Sequence, residues 1–333
     1  MNEELYKIAK RLLTPKKGIL ASDESEKSAN NTLTKAGIDP SEENRRRYRE
    51  LFINTPELGQ YISGIILFEE TLRQSDSSGK LFSDILHEKD VLVGIKCDQG
   101  TEKMTDDTEE VITRGLEGLE QRIDEYKHFG VSFTKWRAVI RIGQNIPTHE
   151  CILQNSRILS EYAKVVISKN LVPIIEPEVL ISGTHTIERC HEVLVSTLNT
   201  VFDVLREDKI DLAAVVLKTS MCLPGDKSSQ KASPQRIAEM TVSALKQSVP
   251  SDIGGIVFLS GGQSPIEATE NLNEIAKLEP LPWQIAYSYL RAIEGPALNI
   301  WKGKDENVAA ARNEFLKRLK ANLLADQGEY TGE

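Results

Sequence analysis

The chain has 333 residues, of which 40% are hydrophobic and 27% charged, as in a globular protein that can bury a large core. Its formal net charge of −9 argues against a general nucleic-acid binder, because a phosphate backbone requires a basic surface. A small phosphorylated ligand is compatible with this charge, since it needs only a local cluster of cations.

Neither a secretory signal nor a membrane span is expected. The N-terminus mixes acidic and basic residues at helical spacing, and no run of about 18 apolar residues occurs. The cysteines are far apart in the sequence, which favours reduced thiols in a cytoplasmic protein; they are Cys97, Cys151, Cys190 and Cys222. The five histidines lack metal-binding spacing, so we expect no histidine-built metal site.

Eight short apolar runs alternate with amphipathic stretches along the chain. The predicted strands are 18–21, 63–68, 91–96, 131–135, 171–175, 212–217, 254–259 and 283–287. Runs that are apolar throughout suit parallel strands buried on both faces. The stretches 187–205 and 237–248 carry apolar residues at spacings of three and four, as helices do.

Eight strand–helix units in about 300 residues predict an α/β protein with a (β/α)₈ TIM barrel, a parallel eight-stranded barrel. An open doubly wound sheet is the alternative, but no G-x-G-x-x-G follows the first strand. No linker divides the chain, so we predict one domain over 1–333. It ends in a helix over about 304–325 and a short polar tail at 326–333.

A basic run lies within residues 39–50, flanked by glutamates. We interpret it as a solvated helical face rather than a nucleic-acid patch.

Charged or polar residues follow seven of the eight predicted strands. They are Asp23, Glu24 and Ser25; Lys96 and Asp98; Lys135 and Arg137; Glu176 and Glu178; Lys218; Ser260, Gly261 and Gly262; and Ser288 and Arg291. In a barrel these strand ends converge on one mouth, where the active sites of this architecture lie. Several charges around one cavity are costly unless they interact or bind something, so a single functional site is predicted.

Lys218 follows the apolar run LAAVVL directly, which should place its amine at the top of the sixth strand. Burial and neighbouring cations lower the pKa of a lysine and leave a free amine that attacks carbonyls. Lys135 and Lys96 are the expected neighbours. The resulting iminium is an electron sink that allows a carbon–carbon bond to break without a metal.

Two carboxylates suit the proton transfers that this chemistry requires. Glu176, held between prolines in PIIEPE, could shuttle protons while the carbinolamine loses water. Asp23 could act at the hydroxyl whose proton leaves as the bond breaks. Glu178 is either a substrate contact or an ion-pair partner.

Glycine-rich LSGGQS at 259–264 precedes a helix that is predicted to begin near Pro265. Its N–H groups and the positive end of that helix could bind a phosphate, with Arg291 adding charge. A second phosphate site is predicted near Ser25 and Ser28.

Nine colinear segments, running from about residue 5 to 330, resemble class I fructose-bisphosphate aldolases. They are ILASDES (19–25), SEENRRRYRE (41–50), GIILFEETL (64–72), VGIKCDQG (93–100), TKWR (134–137), VPIIEPE (172–178), VLK (216–218), FLSGGQS (258–264) and ALNIWKG (297–303).

This resemblance implies a cytoplasmic, homotetrameric lyase of glycolysis and gluconeogenesis that uses no metal or other cofactor. Such an enzyme interconverts fructose 1,6-bisphosphate with dihydroxyacetone phosphate and glyceraldehyde 3-phosphate. The small phosphorylated sugar is the expected partner, and neither nucleic acid nor membrane is expected.

By position, the resemblance implies that Lys218 forms the Schiff base. It implies that Glu176 is the acid–base residue of Schiff-base formation and that Asp23 is the acid–base residue at the C4 hydroxyl. It also implies that Lys135 lies beside the reacting centre. The implied C1-phosphate residues are Ser260, Gly261 and Arg291. The implied C6-phosphate residues are Ser25, Ser28 and Lys96, with Arg137 close by.

Three features depart from the family pattern. Thr32 stands where many members have an arginine that helps to hold the C6 phosphate, which should weaken that end of the site. Thr219 and Ser220 replace the Pro-Asn that usually follows the lysine, and this should reshape the loop. The chain also stops at QGEYTGE without the longer tyrosine-ended tail of animal members, and Tyr330 is not assigned that role.

Three alternative functions remain open on the sequence. One is another Schiff-base barrel enzyme, such as a transaldolase or a deoxyribose-phosphate aldolase. The second is a barrel with a non-catalytic binding role. The third is a metal-dependent aldolase.

Overall fold

The computed structural model describes residues 3–278 and 280–332. Its strands are β1 (Gly18–Ser22), β2 (Ile62–Leu67), β3 (Leu92–Lys96), β4 (Thr101–Lys103), β5 (Val111–Thr113), β6 (Val131–Ile140), β7 (Val172–Val179), β8 (Val216–Thr219), β9 (Gly255–Phe258) and β10 (Ile285–Tyr289). All except β4 and β5 form a closed parallel barrel in the order β1-β2-β3-β6-β7-β8-β9-β10, with β10 pairing back to β1. The predicted (β/α)₈ barrel is therefore confirmed.

Helices connect or follow the barrel strands and pack around them, except for the first helix, which precedes β1. They are α1 (Glu3–Leu12), α2 (Glu26–Lys35), α3 (Glu42–Ile53), α4 (Leu58–Tyr61), α5 (Glu69–Leu72), α6 (Phe82–Glu88), α7 (Leu119–Lys127), α8 (His149–Ser168), α9 (Ile187–Glu207), α10 (Pro234–Ser248), α11 (Pro265–Ala276), α12 (Arg291–Trp301) and α13 (Val308–Ala325). Several begin at a serine or threonine whose side chain accepts a backbone N–H of the first turn, for example Ser41, Thr148, Thr186 and Ser233.

All eight predicted strands overlap barrel strands, with differences at their ends. The fourth continues to Ile140, well beyond the predicted end at residue 135. The sixth begins only at Val216, because Leu212–Ala214 form a 3₁₀ turn. The hairpin of β4 and β5 was not predicted, since its strands have three residues each and are too short to show a pattern.

The predicted helices are present with shifted ends. The stretch 187–205 lies within α9, and α10 begins at Pro234, three residues before the predicted start. The terminal helix begins at Val308, after a 3₁₀ turn at Asp305–Asn307. The predicted polar tail packs back on the barrel: Tyr330 is buried, and its N–H donates to Asn273 Oδ1 at 2.8 Å. Glu333 lies outside the described residues.

The basic run of residues 39–50 was interpreted as a solvated helical face, which is correct for the helix and wrong for the exposure of two arginines. It begins α3, and two of its arginines are buried. Arg45 Nε donates to Glu70 Oε2 at 2.9 Å, and Arg49 lies 3.4 Å from Glu294 and 3.5 Å from Glu24. These carboxylates come from distant parts of the chain, so local sequence could not reveal them.

The barrel has its own small core, separate from the larger layer between sheet and helices. Side chains from α1, including Leu5 and Leu12, close the bottom of this core, and Phe133 fills its centre. Gly94 makes room for that ring, since a Cβ at Gly94 would lie 2.3 Å from it. Above this apolar plug the inward-facing positions become polar, and there the cavity begins.

Candidate active site

A cavity of about 840 Å³ opens at the carboxyl ends of the barrel strands. Alternation along each strand determines which side chains enter it, because residues two apart point to the same face. Val216 packs inside the barrel, so Lys218 two positions later points into the cavity. Ile174 and Glu176, and Phe133 and Lys135, are related in the same way.

The amine of Lys218 is buried beside a carboxylate. Lys218 is 3% exposed, and its Nζ lies 3.1 Å from Glu176 Oε1. The nitrogen therefore faces the predicted acid–base residue and is shielded from bulk water. At this distance a proton can pass between the two groups.

Lys135 lies between the two predicted acid–base residues. Its Nζ is 2.6 Å from Asp23 Oδ2 and 3.0 Å from Glu176 Oε2. Burial alone would raise the pKa of Asp23 and of Glu176, but the charges of Lys135 and Lys218 hold both pKa values below their ordinary range. Burial would lower the pKa of Lys135, but Asp23 and Glu176 raise it well above its ordinary value.

The sequence suggested a cluster of cations around Lys218, but the centre of the site contains alternating lysines and carboxylates instead. Each inward lysine has a carboxylate partner, because inward carboxylates occupy the same level of the barrel. Lys96, expected beside Lys218, instead lies 2.7 Å from Asp98. Arg137 pairs with Glu178, and both line the cavity, so the ion-pair alternative for Glu178 is the one that the geometry supports.

The predicted C1-phosphate residues follow two neighbouring barrel strands, β9 and β10. Ser260, Gly261 and Arg291 line the cavity, but Gly262 is not among the lining residues. The start of α11 is already occupied: Ser264 Oγ accepts the N–H of Glu267, and Glu267 Oε2 accepts that of Ser264. The expected contribution of this helix end to phosphate binding is therefore not supported.

Ser25 and Ser28, predicted for the other phosphate, also line the cavity and belong to the beginning of α2. Thr32 follows on the same wall, and its hydroxyl donates to Glu24 Oε1 at 2.7 Å. Beyond Lys218, Ser220 Oγ accepts the N–H of Val179 and donates to its carbonyl, both at 2.9 Å. The Thr219–Ser220 segment is thus tied to the end of β7.

Several cavity residues were missed by the sequence analysis. Arg141 was hidden because β6 was predicted too short, and it lies just past the true end of that strand. Asn31 and Lys35 belong to α2, where a strand-end rule does not apply. The i, i+3 and i, i+7 spacing of Ser28, Asn31 and Lys35 is the signal that could have found them.

Behind the site, Glu294 of α12 is completely buried. It accepts hydrogen bonds from Ser22, the residue before Asp23, and from Tyr48, the latter at 2.7 Å. Arg49 lies 3.4 Å away. Burial raises the pKa of Glu294 to about 7, against the opposing charge of Arg49.

Two further observations concern the described part of the chain. No helix there is both long and apolar enough to cross a membrane. No group of three or more His, Cys, Asp or Glu side chains there is arranged to hold a metal ion.

The family model for class I fructose-bisphosphate aldolases matches residues 4–333. The chain belongs to this family. A cytosolic fructose-bisphosphate aldolase of Arabidopsis thaliana is 45% identical over 331 residues, which cover 99% of this chain and 84% of the relative. A chloroplastic fructose-bisphosphate aldolase of Chlamydomonas reinhardtii is 43% identical over 332 residues, which cover 99% of this chain and 87% of the relative.

The fold of a solved family member agrees closely. The fructose-bisphosphate aldolase of Plasmodium falciparum, solved in complex with TRAP and a small-molecule inhibitor, has a TM-score of 0.98 and 41% identity. The match covers 100% of this chain and 96% of that one.

Proposed function

We propose that the protein is a lyase that reversibly cleaves fructose 1,6-bisphosphate to dihydroxyacetone phosphate and glyceraldehyde 3-phosphate, in glycolysis and gluconeogenesis. The observation that carries this proposal is the buried amine of Lys218, 3.1 Å from Glu176, in the cavity of a class I aldolase barrel. The amine attacks the C2 ketone of the open-chain sugar. Glu176 accepts and returns protons while the carbinolamine loses water and becomes an iminium.

Asp23 is proposed to remove the proton of the C4 hydroxyl. The C3–C4 bond then breaks, its electron pair flows into the iminium as an enamine, and C4 leaves as the aldehyde of glyceraldehyde 3-phosphate. Protonation of the enamine at C3 and hydrolysis of the imine release dihydroxyacetone phosphate and restore the amine. Lys135 favours this sequence because its charge keeps Asp23 and Glu176 ionised as bases.

The two phosphates are proposed to bind at different walls. Ser260, the backbone of Gly261 and Arg291 would hold the C1 phosphate. Ser25 and Ser28 would contact the C6 phosphate, with Lys96 and Arg137 nearby but partly neutralised by their carboxylate partners. Gly262 does not line the cavity and is left out of this proposal.

We also propose that the protein is a single domain, that it forms a homotetramer and that it is located in the cytoplasm. The family resemblance and the cytosolic Arabidopsis relative support the location, while the chloroplastic Chlamydomonas relative shows that the family serves more than one compartment. Native mass spectrometry of the purified protein tests the tetramer directly.

Borohydride trapping tests the mechanism. Reduction in the presence of dihydroxyacetone phosphate should attach one three-carbon phosphate adduct, and peptide mass spectrometry should place it on Lys218. Reduction without the ketone phosphate is the control and should leave Lys218 unmodified. An adduct on Lys96 or Lys135 instead, with Lys218 free, would refute the assignment.

A further inference from the structure

One wall of the cavity is the polar face of α2. Ser28, Asn31, Thr32 and Lys35 all line the cavity, and their spacing of three and four residues places them on one side of the helix. Thr32 is already engaged by Glu24. Lys35 is exposed, and no described residue offers it a carboxylate at ion-pair distance.

Most cations of the cavity are neutralised where they stand. Lys96, Lys135, Arg137 and Lys218 each pair with an acidic side chain. Within the described chain, the lining cations without such a partner are Lys35, Arg141 and Arg291. An incoming dianion therefore finds uncompensated positive charge at these three side chains.

Of these three, Lys35 alone belongs to the wall that carries Ser28. Ser28, Asn31 and Lys35 lie one above another on this face, because residues three, four and seven positions apart share one side of a helix, and all three line the cavity. Glu24, which lines the cavity just before α2, has its carboxylate engaged by other groups: it accepts a hydrogen bond from Thr32 and lies 3.5 Å from Arg49. A phosphate there meets a free cation and hydroxyls without a competing free carboxylate.

We propose that Lys35 is a specificity-determining residue that binds the second phosphate of the substrate and so favours a sugar bisphosphate over a monophosphate. The inference rests on the proposed aldolase function. It also changes the expectation attached to Thr32: the positive charge missing at that position is supplied one turn later on the same helix.

A purely structural role for Lys35 has different consequences. Lys35 is the last residue of α2, where a cation interacts favourably with the helix dipole. In that case its removal would lower the thermal midpoint slightly and leave substrate preference unchanged. The two roles are therefore separated by kinetics with matched substrates.

The experiment compares Lys35→Gln, Lys35→Arg and Lys27→Gln with the wild type, on fructose 1,6-bisphosphate and on fructose 1-phosphate. Lys27 is the matched control, since it is exposed on the same helix and does not line the cavity. We expect Lys35→Gln to raise KM for the bisphosphate about tenfold, the equivalent of about 1.4 kcal/mol, with kcat nearly unchanged. Kinetics on fructose 1-phosphate should be unaffected, and Lys35→Arg should restore most of the loss.

Equal effects on both substrates, or no effect on the bisphosphate, would overturn the role of Lys35 while the aldolase function stands. A wild-type protein that cleaves neither substrate and forms no adduct on Lys218 would overturn both. If Lys27→Gln raised KM for the bisphosphate as much as Lys35→Gln does, the effect would come from the overall positive charge of α2 and not from a contact of Lys35 with the phosphate. This result would also refute the inference.

Discussion

Glu176 connects the predicted nucleophile to a second lysine: one of its carboxylate oxygens lies 3.1 Å from Lys218 Nζ, and the other lies 3.0 Å from Lys135 Nζ. Lys135 in turn reaches Asp23. All four groups are buried, so charges interact strongly across these contacts. Their titrations and their contributions to catalysis are therefore expected to be coupled rather than additive.

Lys218→Met should abolish cleavage and keep the fold. Methionine preserves most of the buried stem but has no amine, so neither imine nor enamine can form. We expect kcat to fall by about four orders of magnitude or more, as when other covalent nucleophiles are removed. Steady-state assays test this, and circular dichroism tests the fold. Lys96→Met, which removes a cavity lysine outside the proposed covalent step, should retain measurable turnover.

Lys135→Met should change the pH dependence as well as the rate. Burial raises the pKa values of Asp23 and Glu176, and the Lys135 charge lowers them, so both pKa values should rise when that charge is removed. Both groups must be ionised to act as bases, so the acidic limb of the kcat/KM profile should move to higher pH. At neutral pH the loss should be about 100-fold or more. Lys135→Arg should shift the acidic limb less, because it keeps a positive charge. An unshifted acidic limb in Lys135→Met would contradict the proposal that the Lys135 charge keeps Asp23 and Glu176 ionised.

The barrel and the inward lysines were predictable because two simple patterns coincide. Apolar runs indicate buried parallel strands, and the first polar side chains after each run fall at the mouth. Lys218 and Glu176 are found in this way. The Ser264-x-x-Glu267 signature of a capped helix was also present in the sequence, and would have warned that the start of α11 is occupied.

Other features depend on contacts that no local pattern contains. Arg49 and Glu294 are 245 positions apart and meet only because β10 closes the barrel beside β1. Arg141 was missed because β6 continues through polar Arg137, which resembles a strand end in the sequence. Lys35 lies on a helix that forms a wall of the cavity, and only the packing of α2 shows which of its faces is used.

Turnover should persist in excess chelator. In the proposed mechanism the iminium on Lys218 accepts the electron pair of the breaking bond, so no bound cation is required to polarise the ketone. Prolonged treatment with EDTA should leave kcat and KM for fructose 1,6-bisphosphate within about twofold of the untreated values. Loss of activity that returns on adding Zn²⁺, with no change on adding Mg²⁺, would favour the metal-dependent alternative.

Glu294 should make the stability of the protein fall as pH rises toward neutrality. Burial raises its pKa from 4.5 to about 7, so between these values the folded state binds more protons than the unfolded state. The free energy of unfolding then decreases with increasing pH over this window, by up to a few kcal/mol for this one group. Glu294→Gln mimics the neutral acid and removes the titration.

Denaturant unfolding at about pH 5 and about pH 8 measures this difference. From about pH 5 to about pH 8, the free energy of unfolding should decrease more for the wild type than for Glu294→Gln. The stability of the variant relative to the wild type should therefore be greater at the higher pH. Glu239→Gln, which changes an exposed carboxylate, should follow the wild type at both. Parallel behaviour of Glu294→Gln and wild type would mean that the contacts from Arg49, Ser22 and Tyr48 keep Glu294 ionised throughout, and that burial does not determine its charge.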